Sequence, residues 1–159
     1  MKKIIIGIDP GRSGAISVRY NEELIINTKC PQTVKEMGQV VNGIFLNGES
    51  KIAVAYIEQV HAFPTDARSS AFKFGQNYGE WLGILSALEI RTVLVSPQRW
   101  MKYFGEQTKE GRLPKDKKDR KNKLKEIAKE YLPINCGNVT LYNADSILIN
   151  VYGKEHEGK

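Results

Sequence analysis

Cysteine, histidine and long apolar runs are what this 159-residue chain has least of. Its two cysteines, Cys30 and Cys136, stand alone with no Cys-x-x-Cys spacing, so neither a zinc site nor a disulfide framework is indicated. A reducing, cytoplasmic setting fits that usage. No apolar stretch reaches the roughly 18 residues that a membrane span needs, so no membrane partner is expected. The start, Met1-Lys2-Lys3 with a short apolar run ending at Asp9, is too brief for a signal peptide. Internal repeats and low-complexity tracts are also missing. The length suits one domain with a proper core. That domain is expected over residues 1–153, with 154–159 as a frayed tail.

Charge is present in excess, and unevenly. The net charge is +6, and the segment Lys109–Lys129 alone holds ten basic and four acidic residues, also +6. The rest of the chain is therefore neutral. Such a block can be a solvated helix face. Here it lies inside the domain, between Trp100, Tyr103 and Phe104 on one side and Tyr131-Leu132-Pro133 on the other. A phosphate-binding surface explains that placement better than solubility does.

Hydrophobic patterning predicts a mixed α/β fold. Residues 3–9, 14–20 and 23–28 read as three strands in an antiparallel meander. A helix follows from Pro31 to about Phe45, then a buried strand over Ile52–Ile57. A long helix is expected from Ser69 to Leu88 and a short strand over Arg91–Val95. Ser96-Pro97 then opens another helix, with Ser at the cap and Pro at the first helical position. After a loop over Glu106–Pro114 come a basic helix, Lys115–Tyr131, and an apolar one, Asn143–Tyr152.

Two of the buried strands end on an acid. Ile4-Ile5-Ile6-Gly7-Ile8 runs into Asp9-Pro10-Gly11, and Ile52–Ile57 runs into Glu58. A turn-initiating Asp before Pro-Gly is the simpler use of Asp9. If the two strands are parallel neighbours, however, both carboxylates emerge at one sheet edge and repel, which a divalent cation would relieve. All-oxygen ligation favours Mg²⁺ or Mn²⁺ over zinc. Asp145, in the first turn of the last helix, is a third candidate. A plain alternative is that Asn143 caps the helix and Asp145 complements its dipole.

In this order the pieces resemble a RuvC-type Holliday junction resolvase, on the RNase H-like fold. The resemblance rests on Ile6-Gly7-Ile8-Asp9-Pro10-Gly11 with Gly14, on Ile57-Glu58-Gln59-Val60, on Lys73-Phe74-Gly75-Gln76-Asn77-Tyr78-Gly79, on Ser96-Pro97-Gln98-Arg99-Trp100 and on Ala144-Asp145-Ser146-Ile147-Leu148-Ile149. Compact length and the lysine-rich helix look most similar to bacteriophage members, which would place the chain in a bacterial host's cytoplasm. The resemblance implies an RNase H-like fold: a mixed five-stranded sheet with one antiparallel meander, flanked by helices. It also implies a homodimer that binds four-way and branched DNA, with Asp9, Glu58 and Asp145 holding two Mg²⁺ or Mn²⁺ ions for phosphodiester hydrolysis.

Two departures stand out. The family usually places a fourth acid or histidine about three residues before the last acid, and this chain has Tyr142 there, followed by Asn143. Where relatives carry a base-stacking aromatic after the second acid, this chain has His61, then Phe63, and either ring could stack on an exposed base. Gly75, Gly79 and Gly83 recur every four residues on the long helix. Each costs roughly 1 kcal/mol there, which close backbone approach would offset. The resemblance places this stripe at the dimer interface; tight packing within one chain is the alternative. Lys115, Lys117, Lys118, Arg120 and Lys121 are expected to form a cationic rim tracking DNA phosphates. A nucleotide cofactor is not expected, because the actin/Hsp70-like ATPases that share an Asp-turn need a second lobe. A non-catalytic junction-binding protein and an RNase H are the other readings of the same residues.

Overall fold

The structure is a computed structural model and describes residues 2–21, 23–45, 51–61, 67–133 and 137–157. Its elements are β1 (Lys2–Asp9), β2 (Ala15–Tyr20), β3 (Glu23–Lys29), α1 (Val34–Phe45), β4 (Lys51–Glu58), α2 (Arg68–Ala87), β5 (Arg91–Val95), α3 (Pro97–Glu106), α4 (Lys117–Lys129) and α5 (Ala144–His156). The five strands form one sheet in the order β3-β2-β1-β4-β5. β1, β2 and β3 pair antiparallel, as the meander predicts. β4 pairs parallel with β1 on one side and with β5 on the other.

The sheet is covered on both faces, which is why β1 reads as a near-continuous apolar run. Alternation along the strands assigns the faces. Ile4, Ile6, Ile8, Ala55 and Ile57 pack with Met37 and Val41 of α1 and with Trp81 and Leu85 of α2. Ile5, Val54 and Tyr56 pack with Trp100 and Phe104 of α3, Leu124 of α4 and Ile147 and Leu148 of α5. By the same parity Asp9 and Glu58 belong to the second face, the one α5 covers.

α5 lies directly on β1 and β2. A Cβ at Gly7 would sit 2.5 Å from the Ser146 carbonyl oxygen and 2.6 Å from the Asn150 nitrogen. The helix is fastened there by buried polar groups. The Ser17 and Ser146 hydroxyls meet at 2.8 Å, Asn150 Nδ2 donates to the Ile5 and Ser17 carbonyls, and Arg19 Nε donates to Asn150 Oδ1. Satisfied in this way, buried polar groups fix one register where apolar contacts would permit several.

Most boundaries fall within two residues of those expected, and three of the differences have a clear cause. α1 starts at Val34, not Pro31, because Thr33 and Glu36 form a capping box: Thr33 Oγ1 accepts the Glu36 N–H and Glu36 Oε2 accepts the Thr33 N–H. Asp116 caps α4 through the Lys118 and Asp119 N–H groups, which leaves Lys115 outside the helix. α5 continues to His156, so the tail expected to fray from Lys154 is helical for three more residues. Glu157 then accepts from the Tyr56 hydroxyl and pairs with Arg91.

Replacing Gly7 by Ala tests the close approach of α5. The overpacked strand should lose about 1–3 kcal/mol of stability in urea unfolding. Wild-type stability in Gly7→Ala would mean that α5 does not lie this near β1.

Candidate active site

β1 and β4 run parallel with Ile8 opposite Ile57, so their next residues, Asp9 and Glu58, end adjacent strands at the same sheet edge. This is the arrangement the sequence reading made conditional on parallel pairing. α5 runs antiparallel to β1 and delivers Asp145, in its first turn, to the same edge.

The electrostatics register the crowding. Burial, then the charges of Asp145 and Glu58, push the Asp9 carboxyl well above its ordinary range, and Lys121 opposes them. Burial raises Glu58 to about 7; the Trp100 hydrogen bond and Lys121 work against it while Asp145 adds to it. Asp145 is raised by burial and lowered by Lys121. Three half-buried carboxylates therefore share one region, and the Lys121 ammonium group acts on all of them. Lys121, expected in the cationic rim, also lies where its charge acts on the acids.

Among the described residues, no three His, Cys, Asp or Glu side chains are gathered tightly enough to hold a metal ion as they stand. Mutual repulsion of the acids favours such separation. The donor set itself suits a hard divalent cation: all oxygen, desolvated and short of positive charge. Asp9, Glu58 and Asp145 are the residues that would hold it.

Several supporting contacts escaped the sequence reading. Trp100 Nε1 donates to Glu58 Oε2 at 2.8 Å, so the tryptophan of the Ser96–Trp100 segment orients the second acid. Ser96 caps α3 and Pro97 opens it, which sets where Trp100 falls. On the opposite face of the sheet, Asn77 Oδ1 accepts the Gly11 N–H at 2.7 Å. Cys30, unremarkable in sequence, donates its Sγ–H to the Asp9 carbonyl at 3.2 Å. Burial, then the Asp9 charge, push its thiol to about 12, so the donor proton is retained. Gly11 is required on two counts: its φ is 107°, and a Cβ there would meet the Phe74 ring at 2.9 Å.

Other expected residues take different roles. Asn143 does not cap α5 with its side chain; its Oδ1 accepts the Thr140 N–H and its Nδ2 donates to the Asn138 carbonyl. Tyr142 is 53% exposed and lies under the Lys29 ammonium, 5.0 Å from the ring centroid. Arg120 turns back to the Pro114 and Lys115 carbonyls and clamps the loop before α4. Lys115, Lys117 and Lys118 are exposed, as is His61; Phe63 lies outside the described residues. Among the described residues, a Cβ at Gly75, Gly79 or Gly83 would meet nothing within 4 Å, so none of them packs against the stripe.

No family model matches the sequence, and no curated protein does. Solved structures do. A RuvC from T. thermophilus in complex with Holliday junction substrate superposes with a TM-score of 0.60 at 13% identity, over 99% of this chain and 98% of that one. A second Thermus thermophilus RuvC structure matches with a TM-score of 0.57 at 16% identity, over 95% and 93%. The fold is that of RuvC. The five-stranded RNase H-like sheet with its flanking helices, expected from the motifs, is the architecture this chain adopts. At this identity the RuvC likeness concerns the fold, and function is argued from the acids and their surroundings.

The raised carboxyls make a pH prediction. Between the ordinary Glu value of 4.5 and about 7 the folded state binds more protons than the unfolded one, so metal-free stability falls as pH rises through that window. Calorimetry in EDTA should record a lower Tm at pH 8 than at pH 5, by roughly 5 °C. Mn²⁺ should raise Tm more at pH 8 than at pH 5, and Glu58→Gln should flatten the metal-free slope. A Tm that rises with pH and ignores Mn²⁺ would contradict the assignment.

Proposed function

We propose that this chain is a metal-dependent endodeoxyribonuclease that binds four-way and branched DNA as a homodimer and nicks opposing strands. The observation that carries the reading is the convergence of Asp9, Glu58 and Asp145 at one edge of a RuvC-like sheet, each raised by burial and faced by Lys121. The T. thermophilus RuvC with this fold was captured on a Holliday junction substrate.

In this reading Asp9, Glu58 and Asp145 hold two Mg²⁺ or Mn²⁺ ions. When bound, the ions supply an activated water and charge stabilisation at the departing 3′-oxygen, leaving a 5′-phosphate. The chain's own residues prepare the site. Trp100 holds one Glu58 oxygen and leaves the other free for a ligand. The Asp9 turn is braced from α2 and from Cys30. Lys121 offsets part of the negative charge that a phosphate would meet on approach. Exposed Lys115, Lys117 and Lys118 extend the cationic surface along the DNA backbone, giving affinity without sequence readout. His61, three residues past Glu58 and exposed, and Phe63 stand for stacking on an unpaired base.

The dimer reading draws on α2. Among the described residues nothing lies within 4 Å of a Cβ at Gly75, Gly79 or Gly83, and Phe72, on the same helix, is 73% exposed. Glycines that weaken a helix without serving its own core fit a close contact with a second copy. Two active sites in one dimer would produce paired nicks.

The engagement of Asn143 and Tyr142 elsewhere favours a second reading, a junction-binding protein that does not cut. One assay separates the two. A labelled four-way junction is incubated beside a matched linear duplex and an RNA–DNA hybrid, with Mg²⁺, Mn²⁺ or EDTA, using wild type and Asp9→Asn. Paired, symmetric nicks confined to the junction, and reduced at least 100-fold by EDTA or Asp9→Asn, are expected. Tight junction binding with no nicks in any metal would establish the second reading. Preferential cleavage of the hybrid would make the chain an RNase H.

A further inference from the structure

α2 presents a buried stripe of Asn77, Trp81 and Leu85 to the sheet, spaced four residues apart. Trp81 and Leu85 are what such a stripe calls for. Asn77 is not: an amide among apolar neighbours is tolerated only when its polar atoms find partners. Its Oδ1 takes the N–H of Gly11, 66 residues away in sequence and two residues after Asp9.

The turn that receives this bond has little freedom. Gly11 has a φ of 107°, its carbonyl accepts the Gly14 N–H at 3.0 Å, and a Cβ at Gly14 would strike the Asp9 carbonyl oxygen at 2.0 Å. The Phe74 ring, from the same helix, covers Gly11. Trp81, one turn further along α2, shares a core cluster with Cys30, which donates to the Asp9 carbonyl. The inner stripe of α2 thus reaches the Gly11 backbone directly, while Cys30 holds the Asp9 carbonyl. The acid's side chain projects toward the other face of the sheet, where α5 brings Asp145.

We propose that Asn77 is a positioning residue for the metal site: by holding the Gly11 amide it fixes the turn that aims Asp9 at Glu58 and Asp145. The proposal rests on the metal-nuclease reading above and adds a residue to it. Asn77 lies too deep to touch DNA, and it acts through the backbone of Gly11. Because α2 also carries the open glycine face, the contact between copies and the placement of Asp9 share one rigid element.

Two variants test it. Asn77→Leu keeps the volume and removes the acceptor; Asn77→Asp keeps an acceptor oxygen in the same place. Mn²⁺ affinity by calorimetric titration, junction affinity in Ca²⁺, kcat of nicking and exchange of the Gly11 amide are measured in each. Asn77→Leu is expected to weaken Mn²⁺ binding and lower kcat by about 10- to 100-fold, as loss of a group supporting a ligand typically does. Junction affinity should stay within about twofold, because only the placement of Asp9 is disturbed. Asn77→Asp should recover most of both losses, and the Gly11 amide should exchange slowly in wild type and fast in Asn77→Leu. Wild-type Mn²⁺ affinity and kcat in Asn77→Leu would overturn the proposal. So would a fast-exchanging Gly11 amide in the wild-type protein, a result that needs no variant to fold. Failure of the functional reading has a different signature: wild type itself neither nicks junctions nor binds Mn²⁺.

Discussion

The parallel pairing of β1 with β4 is the constraint on which the rest of the molecule depends. With Ile8 opposite Ile57, the residues that follow cannot avoid one another: Asp9 and Glu58 leave the sheet side by side on the face that α5 covers. Slipping the register by one residue would send one acid to the α1–α2 face and dissolve the site. Much of the core guards that register. Gly7 admits α5 to the strand, and the polar contacts among Ser17, Arg19, Ser146 and Asn150 lock the helix above it. Asp145 is immediately adjacent to Ser146, so the contact that fixes α5 also places the third acid.

Crowding three carboxylates in a partly desolvated region works against folding unless positive charge is supplied. The chain supplies some from Lys121 and one neutral donor from Trp100, and both fall short of relieving Glu58, which stays raised to about 7. A region that is electrostatically unfavourable in itself, on a scaffold otherwise well satisfied, is a mark of a binding site. The glycine face of α2 is a second unresolved element, since among the described residues no packing offsets its helical penalty.

Much of this was legible in the sequence because it is local. Strands ending on Asp9 and Glu58, the Ser96-Pro97 helix start, the meander and the basic block are all signals carried by a few consecutive residues, and the structure reproduces them. The start of α1 was legible too, in Thr33-Val34-Lys35-Glu36, three residues after the Pro31 from which the helix is expected. What the sequence did not disclose depends on side chains meeting across long separations. Nothing near Asn77 announces a partner at Gly11, nothing near Cys30 points to Asp9, and Trp100 reads as core until Glu58 lies beneath it. Asn143 holds the N-cap position, but Thr140 and Asn138 engage its side-chain amide, so the expected cap bond is not made. Lys121 belonged to a run of lysines that looked equivalent until α4 docked against α5 and turned this one toward the acids.

The central claim is that Asp9, Glu58 and Asp145 form a divalent-metal site. Crystals of the protein grown with Mn²⁺, with data collected at the manganese edge, test it most directly. The account predicts anomalous peaks bounded by oxygens of these three residues, at ligand distances of about 2.0–2.4 Å. Crystals saturated with Mn²⁺ that carry no anomalous peak among the three carboxylates would contradict it.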